Sequence, residues 1–224
     1  LLQSRVIRPD DARLSSTIWK KNPLKLIVQR HALRMSMSNT AVLDHAKDMI
    51  HPVYSVAARD DVDCAVAETV QAIQDMMQTT SSYKKTGRKQ SLLMLYKGAR
   101  MLLEGKDCAL LGLMNGTEVL VEDIILSPLE TMSSKNSMTH SNVIPLKFMP
   151  EGLLVRAVNE TWILPENLLP GLPSDTPMRS RRGLFFMRAS DTCPFRVTFH
   201  GTKYRVRRTQ FPLIPANAVI VYGA

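Results

Sequence analysis

The chain has 224 residues, of which 45% are hydrophobic and 22% charged, and its formal net charge is +9. This composition excludes a disordered tail and a fibrous chain, and predicts a globular protein with a sizeable core. No apolar run is long enough to cross a bilayer, and charged residues interrupt the first 20 positions, so we expect neither a membrane nor a secretory role. The three Cys residues lie far apart and predict reduced thiols.

The N-terminal third alternates between strand and helix patterns. Residues 24–29 are an apolar run rich in β-formers, and residues 31–50 carry apolar side chains at roughly helical spacing. A second strand is predicted at 51–58 and a second helix at 63–77, with N-terminal caps from the acidic residues 60–63. This alternation predicts a parallel α/β sheet.

The pattern changes after Thr79. Residues 79–90 predict a polar, basic linker, and the chain beyond them is typical of short strands separated by turn residues. We expect these strands at 99–103, 118–126, 153–158, 184–187, 196–200 and 203–208, a set that suits a small, partly open β-barrel. Residues 211–221 are a nearly unbroken apolar run, and predict a strand at 216–222 that returns to the first sheet.

The positive charge is concentrated in two clusters around an acidic stretch. Together they predict one face that binds a polyanion, and nucleic acid is favoured over a membrane because no basic stretch has an amphipathic apolar face. The alternative is that these charges are only solvated, on a loop and on the wet face of a strand. The clusters are Lys84, Lys85, Arg88 and Lys89, and Arg179, Arg181, Arg182, Lys203, Arg205, Arg207 and Arg208.

Sequence motifs for nucleotide chemistry are absent from these 224 residues. There is no Gly-rich phosphate loop ending in Lys-Ser/Thr, and no Asp-Glu pair follows a strand as a magnesium site would require. The five His residues are scattered without a nearby nucleophile, so structural or surface positions are expected for them. We therefore predict no catalytic residue and no metal ligand, and expect that the chain alone does not bind a nucleoside triphosphate.

Five segments then occur in a characteristic order. They are LIVQRHALRMSMSN (26–39), VYSVAARD (53–60), KGARMLL (97–103), GLMNGT (112–117) and RTQFPL (208–213). Together they resemble the second motor domain of the Pif (petite integration frequency) family of superfamily-one DNA helicases, including Helitron-like relatives. The resemblance covers residues 24–224.

The resemblance implies a RecA-like α/β domain interrupted by a small β-barrel of the Src-homology-three type. Residues 1–90 would be the first part of the RecA-like domain, residues 91–208 the barrel, and residues 209–224 the return strand. The chain would then be a fragment of an ATP-dependent 5′–3′ DNA helicase, supplying grip on single-stranded DNA and one wall of the ATP cleft. The implied cofactors are ATP and Mg²⁺, bound mainly by a missing first motor domain.

The implied partners are single-stranded or forked DNA and that first motor domain of the same protein, with no membrane partner. The implied location is intracellular, in the nucleus or mitochondrion of a eukaryote. Two alternatives stay open: a non-catalytic nucleic-acid-binding module, and a decayed mobile-element helicase remnant. The second is suggested by residues 220–224, which depart from the Thr-x-His-Lys-Ser common in the family.

The candidate DNA-binding residues come from two sources. The resemblance places Arg30, His31 and Arg34 in a segment that faces the DNA backbone, although the family usually has Asn at the position of His31. It also places Arg208 and Gln210 at the start of a strand that leads to a DNA-sensing loop. The alternating pattern of the last predicted hairpin adds Arg205 and Arg207 as basic side chains on its outer side, and Tyr222 could stack on a base.

Overall fold

The computed structural model describes residues 26–28, 39–40, 42–43, 52–79, 89–105, 108–130, 143–173, 175–216 and 218–220. Within these ranges the fold is mixed α/β, with several small sheets. Residues 39, 40, 42 and 43 are helical, as expected for 31–50, and the rest of that predicted helix lies outside the described residues. No helix in the described ranges is long and apolar enough to span a bilayer.

The described strands and the helix α1 follow one another along the chain. In order they are β1 (Leu26–Val28), β2 (Val53–Ala57), β3 (Arg59–Val62), α1 (Ala67–Thr79), β4 (Leu92–Leu95), β5 (Arg100–Leu103), β6 (Glu118–Ile125), β7 (Val143–Leu146), β8 (Gly152–Ala157), β9 (Leu184–Met187), β10 (Ser190–Asp191), β11 (Phe195–Phe199), β12 (Thr202–Gln210), β13 (Leu213–Pro215) and β14 (Ala218–Ile220). Short 3₁₀ turns lie at Ala109–Leu111, Glu166–Leu168 and Met178–Arg181.

The largest sheet is antiparallel and has the order β13-β5-β6-β8-β9. Its buried face packs against a three-stranded sheet of order β4-β2-β7, in one apolar core that includes Val53, Leu95, Val121 and Phe185. The five-stranded sheet lies where the barrel was predicted. Pairings that would close it into a barrel are not among those of the described strands.

A third sheet is built around the nine-residue strand β12. One edge of β12 pairs with β11 and β10, and the other edge pairs with β3, all antiparallel. Helix α1 covers one face of this sheet, where Ile73 and Met77 pack against Val62, Val197 and Val206. The opposite face, formed by residues that alternate with the buried ones, is exposed to solvent.

The start of α1 corrects the sequence-based prediction. Residues 60–63 were expected to cap a helix beginning near Asp63, but Arg59–Val62 form strand β3 and the helix begins at Ala67. Asp60 and Asp61 have a weak preference for strands, but the hydrogen bonds between β3 and β12 override it. The run of carboxylates therefore lies beside β12.

The terminal strand returns to the first strand as predicted. β14 pairs with β1 in parallel, with Leu26 opposite Ala218 and Val28 opposite Ile220. The other parallel pair of described strands joins β2 to β7, and the remaining pairs are antiparallel. Pairing also crosses the predicted boundary at residue 90, since β3 joins β12 and β2 joins β4 and β7, so the sheets are shared between the two predicted units.

Phe211 is a test of the main core. Its side chain is 1% exposed, within the core between the five-stranded and the three-stranded sheet. Phe211→Ala is expected to lower the free energy of unfolding by about 3–5 kcal/mol, as large aromatic truncations in cores do. Phe148→Ala, at a side chain that is 43% exposed, is the matched control and should change stability by less than about 0.5 kcal/mol. Equal urea midpoints for the two variants would contradict the burial of Phe211.

Tyr96 gives the core a pH-dependent marker. Burial raises the pKa of Tyr96 from 10.0 to about 12. Because the unfolded chain ionises this phenol at the lower pH, the stability that burial contributes is present below pH 10 and is lost as pH rises towards 12. Burial and the nearby Asp123 also raise the pKa of Tyr54, so in an absorbance titration at 295 nm the step to follow is the one near pH 12, which Tyr96→Phe should remove. Ionisation of all tyrosines near pH 10 would contradict this.

Candidate nucleic-acid interface

The hairpin between β11 and β12 fixes the geometry of the candidate interface. Its turn residues His200 and Gly201 have φ angles of 46° and 78°, both left-handed, as the two central residues of a type I′ turn require. A turn of this type matches the twist of the strands and leaves Phe199 opposite Thr202. The register is therefore set at the turn, and it places Arg196 opposite Arg205.

The basic side chains of β12 alternate with buried ones. Lys203, Arg205 and Arg207 are exposed, whereas Val206 and Arg208 are buried on the opposite face. The predicted pattern for Arg205 and Arg207, basic side chains on the solvent side, matches their exposure. We call the exposed side of β3, β10, β11 and β12 the outer face.

Two arginines lie directly opposite each other on the outer face. Arg196 and Arg205 are cross-strand partners, and both are exposed. None of the ion pairs among described residues includes Arg196, Arg205 or Lys203. Like charges opposite each other destabilise a strand pair, so an anion placed between these guanidinium groups would be bound favourably.

Carboxylates border the same face further along β12. Asp61 is the cross-strand partner of Arg207, and the backbone N–H of Asp63 donates to the carbonyl of Arg205 at 2.9 Å. An open cleft of about 520 Å³ lies here, lined by residues 61–65, Pro194, Arg205 and Arg207. On the other edge, Asp191 Oδ2 lies 4.0 Å from Arg207 Nη1. The outer face is therefore mixed in charge.

Arg208 is buried completely and forms an ion pair with Asp60. Its Nε and Nη2 atoms each donate to one Asp60 carboxylate oxygen at 2.7 Å, and both side chains are 0% exposed. Nη1 donates to Ser91 Oγ at 3.0 Å and to the Lys89 carbonyl at 3.3 Å, while Nη2 also donates to the Met77 carbonyl at 3.1 Å. All five N–H groups of the guanidinium thus have acceptors within the protein.

Gln210 and Lys89 extend this buried network. Gln210 Nε2 donates to the Val56 carbonyl at 3.1 Å, and its Oε1 accepts from the Phe211 backbone N–H at 3.0 Å. Lys89 Nζ donates to the Gln210 carbonyl at 3.0 Å and to Ser190 Oγ at 2.6 Å.

These positions correct three sequence-based assignments. Arg208 and Gln210 were predicted to contact DNA, and Lys89 to belong to an exposed basic cluster, but all three side chains are buried. A side chain whose polar atoms are enclosed and bonded within the protein has no surface to offer a DNA strand. Their role in the structure is to join β12 to β2, β3, α1 and residues 89–91.

The remaining predicted site residues are placed as follows. Arg30, His31, Arg34 and Tyr222 lie outside the described residues, so their assignment to DNA binding stays a prediction. In the second basic cluster Arg179 and Arg182 are exposed, while Arg181 pairs with Glu166 at 3.0 Å.

Sequence reasoning missed Arg196 and the bordering carboxylates. The sequence predicted a tight hairpin over residues 200–203 with Gly201-Thr202 as the turn signal, whereas the two central residues of the turn are His200 and Gly201, and this register places Arg196 opposite Arg205. No comparable signal marked Asp61 or Asp191. Their approach to Arg207 depends on pairings between distant segments.

The described residues contain no group of three or more His, Cys, Asp or Glu side chains able to hold a metal ion. The chemistry available on the outer face is binding of an anionic strand by exposed guanidinium and ammonium groups.

Solved helicase structures are among the proteins to which this chain is similar. No protein-family model and no curated protein matches the chain. Among solved structures, similar chains include a double mutant of Pif1 helicase from Bacteroides (14% identity, TM-score 0.45, covering 94% of this chain and 33% of that one), unliganded Pif1 from Bacteroides sp. (14%, 0.43, 89% and 42%) and Pif1 helicase from Candida albicans (16%, 0.43, 96% and 41%).

This chain thus spans less than half the length of each of these helicase chains. A likeness at such TM-scores is loose, and we infer function from the residues of this chain instead.

The buried ion pair yields a stability prediction. Arg208→Met leaves the Asp60 carboxylate buried without its partner, and should lower the free energy of unfolding by about 3–5 kcal/mol. The double variant Arg208→Met/Asp60→Leu should lose less than the sum of the two single losses, because no charge is left unpaired. Urea unfolding followed by circular dichroism measures both.

Arg207→Met is the matched control, since it changes the adjacent arginine on the exposed side of the same strand. We expect it to alter stability by less than about 0.5 kcal/mol. If Arg208→Met and Arg207→Met unfold at the same urea concentration, the ion pair does not stabilise the fold as described.

Proposed function

We propose that this chain binds the phosphate backbone of single-stranded DNA through its outer face, as the DNA-gripping part of a Pif-type helicase motor. The observation that carries the binding proposal is the exposed pair Arg196–Arg205, next to Lys203. None of these three cations takes part in an ion pair of the described residues, although Asp63 lies opposite Arg205 on the β3 side. Phosphate is an anion that guanidinium groups bind in bidentate geometry. Contacts of this kind position a strand without reading its sequence.

The motor context rests on the ordered motifs at 26–39, 53–60, 97–103, 112–117 and 208–213. In this proposal β1 and β14 belong to a RecA-like parallel sheet, and the five-stranded sheet belongs to an inserted barrel of the Src-homology-three type. ATP and Mg²⁺ would be held mainly by another motor domain of the same protein, and the 5′–3′ translocation would be intracellular. This chain would supply contacts that hold single-stranded DNA, and one wall of the ATP cleft.

The proposal predicts that Arg205→Ala/Arg207→Ala weakens binding of labelled single-stranded oligonucleotides. The loss of affinity should be similar for oligo-dT, oligo-dA and mixed sequences, because phosphate contacts carry little base information. Fluorescence anisotropy across a range of salt concentrations measures it. The slope of log K against log salt should fall by up to about 1.4, since each phosphate that an arginine neutralises contributes about 0.7 to that slope on a single strand.

The matched control is Arg179→Ala/Arg182→Ala, which removes the same number of exposed charges away from the outer face. It should bind nearly as well as the unmodified chain. An equal loss in both double variants would show that binding follows bulk charge, and a loss confined to one oligonucleotide sequence would show base recognition.

A further inference from the structure

The outer face divides into two halves of different charge. The hairpin half, next to the turn, contains Arg196, Lys203 and Arg205 together with Asp63, which continues the register of β3 opposite Arg205, so its net charge is +2. The distal half, at the opposite end of β12, contains Arg59 and Arg207 against Asp61 and Asp191, so its net charge is zero. The basic stripe seen in the sequence of β12 is therefore positive at one end only.

Arg207 is flanked by a carboxylate on each neighbouring strand. Asp61 is its partner on β3, where facing side chains in an antiparallel pair lie about 5 Å apart at Cβ. Asp191 approaches Arg207 from β10 and is itself held by a hydrogen bond from Thr209 Oγ1 to Asp191 Oδ1 of 2.6 Å. Both carboxylates compete with a phosphate for the same guanidinium.

Arg205 has different surroundings, although it lies only two residues away. Successive outward residues of a strand are separated by about 7 Å. Its cross-strand neighbour on β11 is Arg196, its neighbour on the β3 side is Asp63, and it takes part in none of the ion pairs of the described residues. A phosphate between Arg205 and Arg196 meets two guanidinium groups and one carboxylate, whereas one near Arg207 meets one guanidinium between two carboxylates.

From this asymmetry we propose that the nucleic-acid strand is confined to the hairpin half, and that Asp61 and Asp191 limit its affinity by neutralising Arg207. This rests on the proposed function and adds the position of the strand and an electrostatic brake on its binding. Arg205 and Arg196 then bind phosphate, and Arg207 mainly pairs with its carboxylates. A grip of this kind releases its strand more readily than a uniformly basic face would.

The experiment compares single variants of the 224-residue chain on fluorescein-labelled oligo-dT at low salt. Arg205→Ala should weaken binding at least threefold more than Arg207→Ala. Asp61→Asn should tighten it by less than about fivefold, the factor for two unit charges about 4 Å apart in water, because Asp61 lies beyond ion-pair distance of Arg207. Asp191→Asn, which keeps an oxygen for Thr209, should also tighten it. Both gains should shrink at 1 M salt, where the Debye length is about 3 Å.

Glu151→Gln is the matched control, because it removes one exposed carboxylate that does not line the cleft. It should leave affinity within about twofold. Arg205→Ala and Arg207→Ala could weaken binding equally while both Asp→Asn variants leave it unchanged. In that case the strand is not confined to the hairpin half, although the outer face still binds it. If Glu151→Gln tightens binding as much as Asp61→Asn, the effect is one of net charge and the brake is wrong. If no arginine variant changes affinity, the proposed function fails together with this inference.

Discussion

A buried guanidinium needs an acceptor for each of its N–H groups, and in this protein three separate segments supply the acceptors for Arg208. Asp60 on β3 accepts two hydrogen bonds, and Met77 near the end of α1, Lys89 and Ser91 accept the other three. An arginine buried without such acceptors would leave a desolvated charge at a cost of several kcal/mol. The network is satisfied only when β3, β12, the end of α1 and residues 89–91 occupy these relative positions.

The same constraint determines which side chains reach solvent. Side chains alternate along a strand, so a β12 that buries Arg208 must expose Arg205 and Arg207. A slip of one residue would turn Arg205 towards Ile73 and Met77 and expose Val206, which packs there. The pair between Arg208 and Asp60 therefore specifies the outer face although neither residue lies on it.

Local patterns predicted much of this arrangement, and long-range pairings account for most of what they missed. The strands at 118–125 and 184–187, a tight hairpin within residues 200–203 and the return of the last strand to β1 follow from apolar runs and turn residues. The strand Arg59–Val62 and the burial of Lys89 do not, because both depend on a partner more than 100 residues away. Charge alone could not separate Arg208 from Arg207; alternation places Arg208 on the buried face with Val206, and Asp60 supplies its partner there.

The motifs that carry the helicase resemblance are joined to one another inside the fold. Asp60 ends one motif and pairs with Arg208, which begins another, and Gln210 donates to the carbonyl of Val56 in the first. The cations of the hairpin half, Arg196, Lys203 and Arg205, lie outside all five segments. Residues that hold the sheets together are thus separate from residues that would contact a phosphate backbone. Substitutions on the outer face can then change affinity for nucleic acid without disturbing the buried network on which the fold depends.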